Sequence, residues 1–82
     1  MVAHELLKKA LEEISHLHED EEFLVKDLFK GYEWKRIPLN ERLRLGVLFL
    51  NEVMTRYEPS IEILEKSPSN QQIYKIKQSV KI

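Results

Sequence analysis

Apolar positions along the chain fall into three kinds of spacing, and each predicts a different element. From residue 2 to residue 17, Ala3, Leu7, Ala10, Ile14 and Leu17 recur at alternating steps of four and three, with Leu6 and Leu11 widening the stripe. That is the period of an amphipathic helix. Glu5 and Lys9 stand at the favourable i, i+4 offset. The run His18-Glu19-Asp20-Glu21-Glu22 then breaks the pattern and is expected in solvent. Phe23, Leu24 and Val25 form a short β-prone segment. Lys26 to Lys30 is read as one or two helical turns closed by Gly31 in a left-handed cap, with Tyr32 to Pro38 as a compact connection.

A longer helix is predicted from Leu39 to Tyr57. Pro38 suits its start, Asn40 is an alternative N-cap, and Pro59 forces Glu58 into an extended conformation. At about 100° per residue, Leu43, Gly46, Val47, Leu50, Val53, Met54 and Tyr57 gather on one broad face. Leu45, Leu48 and Phe49 lie outside its centre, so the helix is apolar around most of its circumference and is expected to be packed on more than one side. The polar strip that remains carries Arg44, Asn51 and Thr55, flanked by Glu41 and Glu52. Gly46 costs about 1 kcal/mol against Ala inside a helix, which predicts another element crossing close by.

Beyond Pro59 the period changes to two. Ile61 to Glu65 and Ile73 to Lys77 alternate apolar and charged residues around the turn-forming stretch Lys66 to Gln71, predicting a β-hairpin. In it Tyr74 and Ile76 share one face while Lys75 and Lys77 share the other. The last residues, Ser79 to Ile82, are expected to fray. The expectation is therefore one α+β domain over residues 1–82. It comprises an N-terminal helix (1–18), a helix-turn-helix-like core (23–57) and a two-stranded hairpin wing (61–77). This is the element order of a winged helix-turn-helix.

Composition narrows the function. A chain of 82 residues, 33% charged and 43% apolar, has room for a single core and none for a deep cleft between lobes. It has no cysteine, which removes disulfides, thiolate zinc sites and thiol catalysis and fits a cytoplasmic location. The longest apolar run, Val47 to Leu50, is far below the ~20 residues of a membrane span. No basic leader followed by an apolar stretch opens the chain, so no secretory signal is expected. The near-neutral net charge hides a split. Met1 to Lys30 carries eight acids against four lysines, and Gly31 to Ile82 carries nine bases against six acids. Such a division can present one basic face on a neutral protein.

Three words of the sequence carry a resemblance: Leu28-Phe29-Lys30-Gly31-Tyr32-Glu33-Trp34, then Arg42 to Phe49 with Leu45-Gly46 at its centre, then Asn70 to Tyr74. Together they resemble the pattern L-F-x-G-x-x-W, R-x-x-L-G-x-x-F and N-x-x-x-Y of a family of small bacterial and phage-encoded domains of unknown function, some loosely labelled DNA-binding. The resemblance spans about Phe23 to Lys77 and implies a winged-helix-like fold more firmly than an activity. Its matched residues also make a structural set. Arg42, Leu45, Gly46, Phe49 and Val53 run along one side of the long helix, where Trp34 is expected to lie largely buried over Gly46 with Arg42 stacked on its ring.

Function is then expected on the opposite face. Arg44 and Asn51, with Leu48 and Thr55 beside them, are residue types that read base edges in a groove. Lys66, Lys75 and Lys77 in the wing, and Lys35 and Arg36 in the turn, are able to contact phosphate. Glu41 and Glu52 oppose this reading. The rival is a protein-interaction module or homodimer, in which the first helix buries its stripe against a partner and Leu45 and Leu48, if exposed, form the binding site. No enzyme, cofactor or small-molecule substrate is expected: there is no glycine-rich phosphate loop, nucleophile elbow or HExxH helix. His16 and His18 would lie ~200° apart on a helix and cannot share a metal. Acid pairs such as Glu12-Glu13 have no cleft to raise a pKa. A small DNA-binding or regulatory protein is the leading expectation.

Overall fold

The computed structural model describes residues 3–78 as a mixed α+β fold of three α-helices and a three-stranded antiparallel sheet. Helix α1 (Ala3–Glu13) runs on into a 3-10 turn, Ile14–His16. Strand β1 (Glu22–Phe23) and a second 3-10 turn, Val25–Leu28, lead to helix α2 (Gly31–Arg36). Helix α3 (Leu39–Glu52) continues as one π-helical turn, Val53–Tyr57. Strands β2 (Ile61–Lys66) and β3 (Gln72–Ile76) close the chain. The expected helix start at residue 2 and the fraying of Ser79 to Ile82 lie outside the described residues.

Prolines set the limits of α3 as expected. Pro38 is its N-cap, and Glu58, before Pro59, is extended at φ −78° and ψ 138°. The hairpin also forms, with Ile61 opposite Ile76 and Ile63 opposite Tyr74, and a bulge between Ile63 and Lys66. Asn70 turns the connecting loop at φ 65°, a conformation asparagine tolerates. The wing is not two-stranded, however. Glu22 and Phe23 pair with Lys75 and Tyr74, making β3 the central strand in the order β1-β3-β2. A two-residue strand has no period to read, and backbone bonds just outside it hold it in place: Asp20 N–H donates to Ile76 O, and Ile76 N–H donates to Glu21 O.

The segment around Gly31 also departs from expectation. Gly31 opens α2 instead of capping a helix, and its φ is not positive. The Glu33 carboxylate accepts the Lys30 backbone N–H at 3.1 Å, satisfying a donor at the helix start. Asp27 does the same for Leu24 N–H at 2.9 Å, ahead of the preceding 3-10 turn. Local carboxylate caps thus make helix of the segment expected as a connection.

Three layers meet in the core. From α1 come Leu6, Ala10 and Ile14, from α3 Leu45, Phe49 and Val53, and from the sheet Phe23, Ile61, Tyr74 and Ile76, all buried. The α1 stripe is centred on Leu6, with Leu7 half-buried, and it is covered within the chain. The Phe49 ring stands edge-on to Tyr74 (5.1 Å) and Phe23 (6.2 Å), which stack on each other at 5.5 Å.

This packing uses only one of the two apolar sets on α3. Leu45, expected in line with Phe49 and Val53 and outside the centre of the broad face, is fully buried, whereas Leu43 and Val47, expected within that broad face, are 65% and 69% exposed. Gly46 is not a point of close approach either, because a Cβ placed there meets nothing within 4 Å. Gly46→Ala should therefore raise stability by about 0.5–1 kcal/mol, measured as a higher urea midpoint at unchanged m-value.

Tyr74 supplies a second prediction. Burial pushes its phenol up to about 12. The unfolded chain ionises near the ordinary value of 10.0, so it releases the proton first as pH rises. Stability should fall from about pH 10 to about pH 12 through this group. Tyr74→Phe should remove that part of the alkaline loss, seen as a flatter dependence of the urea midpoint on pH.

Candidate functional site

The residues expected to touch nucleic acid occupy three separate places. Arg44 and Asn51 on α3 and Thr55 in the π-helical turn that follows it form an exposed strip, although the Thr55 hydroxyl donates back to Asn51 O at 2.8 Å. Lys35 and Arg36 are exposed at the end of α2, where the Arg36 guanidinium lies 5.0 Å from the Tyr32 ring centre. The wing lysines divide. Lys66 is exposed at the end of β2, whereas Lys75 and Lys77 project from the side of the sheet opposite Tyr74 and Ile76.

That outer sheet face is electrically balanced. Lys75 sits on the central strand in register with Glu22 on one side and Glu62 on the other. Lys77 Nζ is 3.4 Å from Glu62 Oε1. Opposite charges directly across a ladder attract each other and leave little field for a phosphate. At the end of α3, Glu52 is similarly paired with Arg56 of the π-helical turn at 3.4 Å. The second half of the chain carries the excess of base, yet part of it, at Arg56, Lys75 and Lys77, is neutralised locally.

Trp34 is half-buried, not covered by α3 as expected. Its ring is tilted on Phe29 at 5.8 Å, while the Arg42 guanidinium lies 5.4 Å from its centre, as the sequence predicted. Arg42 also donates from Nε to Ile37 O (2.9 Å) and from Nη2 to Lys35 O (3.3 Å). It thereby binds the two-residue turn between α2 and α3, a structural task. The space expected to be filled over Gly46 is instead an open groove of about 430 Å³.

The floor of that groove is α3, through Leu39, Leu43, Gly46, Val47 and Leu50. Trp34 and Val25 wall one part, and Asn70, Gln71 and Gln72 of the hairpin wall another. Its charged lining residues are Lys26, Arg42 and Lys66; no carboxylate residue lines it. Sequence reasoning missed this site, although the signal was present: a helix apolar nearly all round, in a chain with too few elements to cover it. A second hollow of about 490 Å³ holds the Lys9–Glu33 ion pair, which joins α1 to α2. The mutual hydrogen bond holds the Lys9 ammonium above its ordinary pKa and the Glu33 carboxyl below its own.

Residues 8–75 match a protein family described as Domain of unknown function (DUF1413). The chain belongs to this family. The match begins inside α1, ahead of the Phe23 start expected from the motifs, so the family pattern takes in most of the first helix as well as the sheet. No curated protein and no solved structure matches the chain. Among the described residues, no group of three or more His, Asp or Glu could hold a metal ion, and no helix is long and apolar enough to cross a membrane.

The balanced sheet face can be tested directly. Glu22→Gln combined with Glu62→Gln should release Lys75 and Lys77, so that the double variant elutes from heparin at higher salt than the parent. If both lysines then reach phosphate, the log–log salt slope for a DNA duplex should steepen by about two units. Adding Lys75→Ala and Lys77→Ala should return both readings to the parent's.

Proposed function

We propose that this member of the family is a non-enzymatic recognition module with a winged-helix-like fold, which binds a protein partner through the exposed apolar face of α3. The fold reading is supported by the element order, helix, strand, helix, helix and hairpin, with α2 and α3 joined by the short turn that Arg42 holds. The single observation that carries the functional reading is the apolar face itself. Leu39, Leu43 and Val47 are each about two-thirds exposed, and Met54 is 58% exposed. Contiguous apolar surface of this type on a small domain marks an interaction site, since scattered single residues would need no explanation. The partner face lies on Leu39, Leu43 and Val47, and not on Leu45, which the core takes.

A nucleic-acid reading has one specific observation in its favour. Arg44 and Asn51 are exposed beside that face on the helix that follows the turn, and Lys35 and Arg36 are exposed at the end of α2. Against it stand the carboxylates that balance Lys75 and Lys77.

A photo-reactive amino acid placed at position 47 separates the two readings. In cells, Val47 replaced by such a residue should yield crosslinked protein adducts whose partner peptides can be identified, while the same group at exposed Glu12 should not. The change should leave stability within about 0.5 kcal/mol, as expected for an exposed site. The partner, purified and mixed with the parent chain, should bind it and should lose affinity for Val47→Glu. Adducts to nucleic acid, made from position 51 in place of position 47, would support the second reading.

A further inference from the structure

We propose that the α3 groove receives a peptide segment of the partner that combines bulky apolar side chains with carboxylates. The inference rests on the protein-partner reading above and adds the chemistry of what is bound. Two features of the groove converge on it. The floor made by Leu39, Leu43, Val47 and Leu50 gains by excluding water, and a volume of about 430 Å³ accommodates a few side chains but no folded domain.

The charge at the groove has one sign. Lys26, Arg42 and Lys66 line it, and no carboxylate residue does. Lys26 and Lys66 are exposed, and they form no ion pair among the described residues. Arg42 spends Nε and Nη2 on two carbonyls but has further N–H donors on the same guanidinium. This is the pattern that selects an acidic partner and repels a basic one.

Trp34, the only tryptophan of the chain, lines the groove and reports on its occupancy. The test is selection of random dodecapeptides displayed on phage against the immobilised full chain, followed by titration of the selected synthetic peptides with Trp34 fluorescence. The expected result is enrichment of Asp or Glu together with Leu, Phe or Trp, and a saturable change in Trp34 emission. Lys26→Glu with Lys66→Glu, confirmed folded by circular dichroism, should weaken the selected peptides by about tenfold, whereas parent and variant should bind alike at high salt.

Basic or neutral selected peptides, no enrichment at all, or binding unmoved by the charge reversals would overturn the proposal. So would displacement of the peptide by a DNA duplex, or a dimer in sedimentation that Leu43→Glu dissociates, because the face would then belong to nucleic acid or to a second copy. Protein crosslinks from position 47 without selection of acidic peptides would sink the partner chemistry alone and leave the protein-partner reading standing.

Discussion

Phe49 stands edge-on to both Phe23 and Tyr74, and this aromatic contact fixes the rotation of α3 against the sheet. Little else about the helix is free once that angle is set. At about 100° per residue, Leu45 and Val53 fall on the same side as Phe49, while Leu43 and Val47 are turned away by about 120° and 160°. The core side is completed by Ile61 and Ile76 from the sheet and by Leu6, Ala10 and Ile14 from α1. The side turned away faces a groove walled by Trp34, Val25 and the hairpin loop. One contact between three rings therefore determines both what is buried and what is offered.

Much of this arrangement is legible in the sequence, because prolines and alternation speak locally. Pro38 and Pro59 bracket α3, and Ile61 to Glu65 and Ile73 to Lys77 announce the hairpin down to the inward direction of Tyr74 and Ile76. The errors have one origin, which is that tertiary contacts decide among options the local pattern leaves equal. Gly31 fits a helix end as well as a helix start, and the Glu33 carboxylate on Lys30 N–H selects the start. Both apolar sets of α3 have helical spacing, and only the partners of Phe49 choose between them. β1 is two residues long, so its place in the sheet comes from β3 and from the backbone bonds of Asp20 and Glu21.

The candidate site was less legible than the fold for an electrostatic reason. Counting bases along the second half of the chain suggests a positive surface, but a sheet places residues far apart in sequence at adjacent positions. Glu22 comes from the acidic first half and lies in register with Lys75, which Glu62 flanks on the other strand. Glu62 also meets Lys77. The linear split of charge is thus partly cancelled by the topology. It survives at the groove, where Lys26 comes from one half of the chain, and Arg42 and Lys66 from the other.

What the fold requires of α3 and what α3 carries are not the same. Packing requires Leu45, Phe49 and Val53, and the turn requires Arg42. Among the described residues, nothing packs over Leu43 or Val47 to require an apolar residue there, and at exposed helical positions Lys, Glu or Gln would serve the helix as well as leucine and better than valine. Gly46 sharpens the contrast. Its backbone takes no positive φ and no neighbour crowds a Cβ there, so neither local conformation nor packing demands glycine. What its missing side chain does provide is a lower floor between Leu43, Val47 and Leu50, with Trp34 and the cations of Lys26, Arg42 and Lys66 around it. Residues that weaken a helix, or expose oil to water, without serving the fold are accounted for most simply by something that binds to them.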